Sequence, residues 1–533
     1  MFDILIKNGL VVDGSGAPAF RSDIAIQNGK IAKIAPSIGG EAREVIDASG
    51  LQVTPGFIDS HSHSDENVLH GGGGGYAYLL QGVTTQVAGH CGSSPAPYYS
   101  GTGSEFEIPA GQEALWEEKA ATPASFMKMA EEVPMGTNMA YFIGHGGIRG
   151  KEVGFTEEQA TPEQMARMQA HVRNAMEAGF LGMSTGLVYA PSVYAQTEEL
   201  IELMKAAAPY GGIYASHIRG EGDGCLRAVQ EAIRIGEESG CPVCISHLKV
   251  MGKQNIGLSA QLLREIDSAN ARGAAVFADQ YPYIASSAPL ASQIPPKYQL
   301  GGTDALLERI RDPEVRRQIV HSIFHETDEF ESGIYHAGFE GTLVVRAAKT
   351  PEWENKTLPE IARMIGGEPI DALCEVLLAN DGFAQGVYFN QSASDLIRIM
   401  GHPRVFCGSD TVDSDEIRDP EQAGGGHPRS TGTMVRRLEL VRDFRLRTME
   451  ESIRNLTWDT AQALKLSGQG LLQEGWDANV CVVDYERLHA TADYAHPCRR
   501  NQGIHHVLVN GVVAVRDGEL TGARSGKVIK RTK

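Results

Sequence analysis

Apolar residues alternate with polar ones at both ends of the chain, whereas its middle sets short apolar blocks between amphipathic stretches. The two patterns predict two architectures. At the start, Phe2 to Lys7, Val11 to Val12, Asp23 to Ile26 and Lys30 to Ile34 read as short strands, with Asn8-Gly9 and Asn28-Gly29 as hairpin turns. The far end repeats this with Asn479 to Val483, then His506 to Val509 and Val512 to Val515 around Asn510-Gly511. Neither segment can bury a two-sheet core alone, so residues 1–52 and 466–533 are expected to meet in one small β-domain.

Residues 53–465 then form one continuous insertion with parallel α/β character. Candidate strands are Gly56 to Asp59, Thr84 to Ala88, Met139 to Ile143, Gly182 to Ser184, Ile213 to Ala215, Val243 to Ile245, Ala275 to Ala278 and Val405 to Cys407. Eight strands favour a closed barrel over an open sheet. Helices are expected between them at Glu163 to Ala178, Thr197 to Ala208, Cys225 to Ser239 and Ala260 to Arg272. The gap from Ala278 to Val405 exceeds any ordinary βα connection, so it should hold an inserted subdomain as well as a helix at Ile370 to Leu378.

Chemistry gathers just beyond these strands. His61 and His63, in GFIDSHSHSDE, are two residues apart, and an extended backbone puts both imidazoles on one side. An isolated HxH pair is ordinarily two solvated loop histidines. Here Cys91 follows a second strand in AGHCGSS, His217 a third in YASHIRGEG, His247 a fourth in CISHLKVMG, and Asp410 the last in VFCGSD. Core packing would place apolar residues at those points. A thiolate, two imidazoles and an exchangeable water make a catalytic zinc site, whereas a shell filled by protein makes a structural one. A neighbouring carboxylate such as Asp410 can take the proton of the bound water. Ser184, Ser216, Ser246 and Ser409 also lie near strand ends, but none stands in a GxSxG elbow. A Cys91–His nucleophile dyad is a second alternative, and it leaves most of the other strand-end histidines without a role.

Composition narrows the partners. The 533 residues are 42% hydrophobic and 22% charged, near the soluble globular average, and the net charge of −19 is spread along the chain. That disfavours nucleic acid or an anionic membrane surface as a partner. No secretory or membrane-length apolar run occurs, so a cytoplasmic protein is expected. Eight cysteines are too sparse for a disulfide scaffold, and all but Cys91 read as buried small hydrophobes. The run Gly71 to Gly75 lacks the GK[ST] of a phosphate loop and reads as a flexible loop near the metal.

Together PGFIDSHSHSD, AGHCGSS, YASHIRGEG, ISHLKVMGK, DQYPYIASS, GSD and HPRSTGTMVRRL resemble the N-acyl-D-amino-acid deacylases, or D-aminoacylases, of the metal-dependent amidohydrolase superfamily. The resemblance extends to IKNGLVVDGSG at the start and to LQEGWDANVCVVD and VLVNGVVAVRDG at the end. It implies a distorted TIM barrel with a small β-sandwich formed by both chain ends, and an inserted segment near 287–348 beside the site. It implies a tight Zn2+ on Cys91, His217 and His247, and a weaker second position on His61 and His63 that shares Cys91. Asp410 is then the general base and later the acid that protonates the departing amine, with acetyl or formyl as the acyl group. The substrate carboxylate falls to Lys249, Tyr283, Ser287 and Arg429, Tyr281 being interchangeable with Tyr283, and Tyr189 lies near the acyl or side-chain pocket. The loops from Gly101 to Lys119 and after Asp410 depart from the family pattern and are expected to reshape the pocket. A cyclic amide or imide hydrolase of the same superfamily is the alternative, and it usually needs a carboxylated lysine or other acidic bridge at the place of Cys91. A non-catalytic protein with a structural zinc is the remote one.

Overall fold

The computed structural model describes residues 1–98, 111, 113–327, 330–412, 415–418 and 426–531, and its middle is a ring of parallel strands. Phe57–Asp59, Val83–Ala88 and Asn138–Tyr141 form one arc. Ile143–Gly144, Gly182–Gly186, Ile213–His217, Val243–Ile245, Val276–Gln280 and Val405–Cys407 form the other. The arcs meet where Ser60 N donates to Cys407 O at 3.1 Å and where Phe142 N donates to Ala88 O at 2.8 Å. The expected third strand is thus broken at Phe142, and His217 lies within its strand instead of beyond it.

Side-chain alternation explains the ring. Ile58, Val87, Ala140, Phe142, Leu181, Ile213, Ala215, Cys244, Phe277 and Phe406 share one core inside the barrel. Their neighbours in sequence, including Met139, Tyr141, Ile143, Tyr214, Val243, Ile245 and Val405, pack outward against the helices. Burial on both faces is what makes these strands apolar throughout, as expected of a parallel sheet. The helices run Pro162–Ala178, Thr197–Ala207, Cys225–Ser239 and Ser259–Ala271. Thr161 opens the first of them with a capping box to Gln164, and Pro162 fills the position where a missing N–H costs nothing.

Both chain ends join in one nine-stranded sheet. Ile24 and Ile26 share a core with Leu508 and Val513, from strands far apart in the sheet order, so the sheet folds back on itself as a sandwich. Asn28-Gly29 and Asn510-Gly511 are the expected hairpin turns, with φ of 53° and 74°, then 49° and 78°. Asn8-Gly9 is not. Phe2–Val11 runs on as one strand, and Asn8, at φ 63°, makes a bulge between Ile6 and Gly9. A Cβ on Gly9 would come within 2.4 Å of Val53 Cγ2, so glycine there serves close strand packing rather than a turn.

The inserted region carries its own antiparallel sheet, ordered Ser286–Pro289, Gln385–Tyr388, Thr342–Arg346, Lys356–Thr357. Its core takes in the helix Pro369–Ala379, so the structured insertion continues well past 348. The Gly71 to Gly75 run is closely packed from Gly72 on: a Cβ on Gly72 would meet Pro134 O at 2.2 Å, and Gly136 N donates to Gly73 O. Of the two departing loops, residues 101–110, 112, 413–414 and 419–425 lie outside the described residues.

A buried charged cluster secures the segment that bears Tyr189. His145 Nε2 donates to Glu199 Oε1 at 3.0 Å, leaving Nδ1 to accept from the Ser192 hydroxyl at 2.9 Å. Arg149 donates to Glu199 Oε2 at 3.2 Å and to Pro191 O at 3.1 Å. The Ser–His–Glu order mimics a nucleophile triad, yet Ser192 is only 2% exposed and lines neither cavity of the site. Burial would raise the Glu199 carboxyl, but His145 and Arg149 hold it below the usual range. Glu199→Leu should therefore cost about 3–5 kcal/mol by stranding the buried Arg149 cation and leaving His145 Nε2 without its acceptor, read as a fall in denaturation midpoint.

Candidate metal centre and catalytic site

Period-two geometry turns Ile213, Ala215 and His217 to the same side, so the strand that fills the barrel core ends by presenting an imidazole at its mouth. Cys91, His247 and Asp410 reach the same point with φ of 55°, 35° and 54°, a left-handed backbone that non-glycine residues rarely adopt. Cys91 Sγ stands 3.4 Å from His61 Nε2 and 3.4 Å from His247 Nε2. The His217 and His247 rings lie edge to face at 4.3 Å. Cys91, His217 and His247 form one set of convergent donors, and His61, His63, Cys91 and Asp410 form another, with ligand atoms within 4.8 Å of one another.

His61 is held in a usable tautomer. Asp279 Oδ1 accepts from His61 Nδ1 at 3.1 Å, which leaves His61 Nε2 turned to the cluster. The same carboxylate oxygen accepts the backbone N–H of His247 at 2.7 Å. Glu221 lies 3.0 Å from His247 Nδ1 and 3.6 Å from His217 Nε2, and it pairs with Lys249. His217 Nδ1 is buried with no hydrogen-bond partner. A tetrahedral zinc, with bonds of about 2.3 Å to sulfur and 2.0–2.1 Å to nitrogen, needs an S···N separation of about 3.6 Å. The donor types, the orphaned nitrogen and the 3.4 Å approach of Cys91 to His247 all fit it.

Charge at the site suits the same chemistry. Burial would raise the Cys91 thiol, but His61 and His247 bring it well below its ordinary value, which favours thiolate. Burial would likewise raise the Asp410 carboxyl, and Arg429, donating to Oδ2 at 2.6 Å, holds it well below the usual carboxylate range. Asp410 Oδ1 lies 3.0 Å from His63 Nε2 and 3.4 Å from His61 Nε2. The residue expected as the proton carrier therefore also belongs to the second donor set.

A cavity of about 690 Å3 opens over the cluster, lined by His63, Cys91, Tyr189, Ser287, Asp410 and Arg429 among others. A narrower recess beside it is lined by His217, Glu221, His247, Lys249, Tyr281 and Glu331. Tyr189 packs edge to face on His217 at 4.9 Å. Tyr283 is the exception among the expected contacts: it lines neither space, and its hydroxyl donates to Pro428 O at 3.2 Å. It secures the start of the helix Arg429–Asp443, and Tyr281 takes its place in the recess. Lys249 and Arg429 are not waiting cations, since Glu221 and Asp410 already pair with them.

Sequence reasoning missed three carboxylates that organise the mouth. Asp59 Oδ1 accepts the backbone N–H groups of His61 at 3.0 Å and Ser409 at 2.9 Å, tying the first and last strand ends together. Burial pushes its carboxyl up to about 7. Asp279 and Glu221 are the other two. Each lies inside a motif already singled out, FIDSH, ADQYPY and HIRGEG, and acidic residues ending buried strands or following a ligand histidine were the available signal.

A barrel whose strand ends converge imidazoles and a thiolate beside a carboxylate is the architecture of an amidohydrolase. The profile of the Amidohydrolase family matches residues 44–515. The chain is 33% identical to a D-aminoacylase of Alcaligenes xylosoxydans xylosoxydans, over 100% of this chain and 98% of that one. It is 32% identical to an N-acyl-D-aspartate deacylase of the same organism, over 99% and 95%. The structure of N-acyl-D-glutamate deacylase from Bordetella bronchiseptica, complexed with zinc and a phosphonate mimic of the tetrahedral intermediate, superposes with a TM-score of 0.81. It is 30% identical and covers 99% of each chain. The chain belongs to the amidohydrolase superfamily and, within it, to the D-aminoacylase family.

Proposed function

We propose that the protein hydrolyses the amide bond of N-acyl-D-amino acids, releasing a carboxylic acid and a free D-amino acid. The observation that carries this reading is the pair of donor sets sharing Cys91, set against the buried Asp410–Arg429 pair and open to the cavity. Zinc bound there supplies Lewis acidity that polarises the acyl carbonyl and acidifies water. Asp410 takes the proton of the attacking water and returns it to the leaving nitrogen, while Arg429 keeps the carboxylate ionised between turnovers. Asp279 and Glu221 fix the ligand imidazoles so that no reorientation accompanies the reaction.

Arg429, Lys249, Tyr281 and Ser287 surround the place for the substrate carboxylate, which shares the two cations with Asp410 and Glu221. Replacing that carboxylate by a primary amide removes charge-assisted bonds worth about 1.5–3 kcal/mol each. Free-acid substrates should therefore lead their amides in kcat/KM, and Lys249→Ala or Arg429→Ala should shrink that lead. Unchanged discrimination in both variants removes the two residues from carboxylate recognition.

The cyclic-amide reading loses ground because Cys91 stands in both donor sets, at the place where such a hydrolase usually needs a carboxylated lysine or other acidic bridge. A purely structural zinc fits poorly with a donor set that faces a cavity. We also place the enzyme in the cytoplasm. All eight cysteines are free and buried, and among the described residues no helix is long and apolar enough to cross a membrane. A panel of N-acetyl and N-formyl D- and L-amino acids, run with metal-quantified protein, tests the function. Turnover confined to cyclic amides, or absent altogether, would reject it.

A further inference from the structure

The loop after His217, Ile218-Arg219-Gly220-Glu221-Gly222-Asp223-Gly224, carries glycine at every second position from 220. The reason lies in the inserted region. Glu331 Oε2 accepts the backbone N–H of Gly222 at 2.8 Å and of Glu221 at 3.2 Å, and Oε1 accepts that of Gly224. A Cβ on Gly220 would lie 3.3 Å from Glu331 Oε2, one on Gly224 would lie 3.0 Å from Oε1, and one on Gly222 would strike His336 Nε2 at 2.2 Å. Gly224 also caps the fifteen-residue helix Cys225–Ser239, whose N-terminus favours an anion. The loop is an anion nest filled by the chain's own carboxylate.

The geometry points to Glu331 as a positioning residue through which the inserted region holds the metal ligands. Its acceptor bond fixes the backbone of Glu221, whose side chain lies against His217 and His247 and pairs with Lys249. Glu331 itself lines the recess beside these residues. The insertion is thus part of the catalytic mouth. The inference rests on the zinc reading above, so its test is read on zinc.

Zinc retention is measured by chelator competition without substrate, on the full chain. Glu331→Ala should hold the tight zinc about ten-fold less well, the scale for losing a group that orients a ligand from behind. Formate at millimolar levels should restore much of that loss by entering the emptied nest, while adding nothing to the wild type. Glu331→Met keeps the volume, so it covers the case in which alanine fails to fold. It should lose zinc to a similar degree, with no response to formate. Wild-type retention in the methionine variant overturns the inference, as does a formate-insensitive loss in a folded alanine variant. Normal zinc behaviour as inferred, but no turnover of any N-acyl amino acid, would sink the proposed function instead.

Discussion

Asp410→Asn should lower kcat by about 10²–10⁴-fold, the contribution expected of one well-placed general acid and base. The fold should survive, because asparagine keeps the shape and can still present a carbonyl oxygen to Arg429, now 2.6 Å from Oδ2. Its amide then faces His63 and His61, where the carboxylate stood at 3.0 and 3.4 Å. The second donor set should weaken, whereas Cys91, His217 and His247 do not include Asp410 and should keep one equivalent of zinc. Metal content must be read on the same sample. Near-wild-type turnover by a zinc-replete variant would send the search for the base to another group at the barrel mouth.

Arg429 supplies a second reading of the same carboxylate. Burial raises the Asp410 carboxyl and Arg429 is the strongest influence lowering it, so the working, ionised form persists into acid. Removing that cation raises the carboxyl toward, or above, its ordinary value. Arg429→Met should therefore move the acid limb of the kcat profile to higher pH, the form competent as base being lost earlier as pH falls. An unmoved acid limb in a folded variant would show that some other group sets it.

Strand ends and the candidate ligands beside them were legible in the sequence for one physical reason. A strand buried on both faces must be apolar, so a histidine or carboxylate directly after one is visible against that background, as at His61, His247 and Asp410. Roles that depend on where a loop turns were not legible. Tyr281 and Tyr283 are both aromatic, two residues apart, and only the fold sends one into the recess and the other to Pro428. Asn8-Gly9 failed similarly. Its left-handed backbone is the one a hairpin needs, but β-bulges need it too, and strand pairing with Arg21 and Phe20 beyond it decides the outcome. Glu331 lies about a hundred residues from the loop it holds, and no spacing rule connects them.

Cys91→Ala should empty the centre more completely than any single histidine variant, because Cys91 is the one residue common to both donor sets. It is also the only thiolate in either of them. Its sulfur lies 3.4 Å from a ligand nitrogen on each side, and the left-handed backbone at φ 55° places it there. The imidazoles should remain in position, since Asp279 and Glu221 hold His61 and His247 from behind. Loss of zinc with retained secondary structure and a denaturation midpoint near that of metal-stripped wild type is therefore the expected result, and activity should fall to background. Loss of activity alone does not separate the metal reading from a cysteine nucleophile, which would also be silenced by the substitution. The wild type makes the distinction: stripped by chelator it should be inactive with its thiol intact, and added zinc should restore it. Full turnover by metal-stripped wild type would assign Cys91 to covalent catalysis and remove zinc from the mechanism.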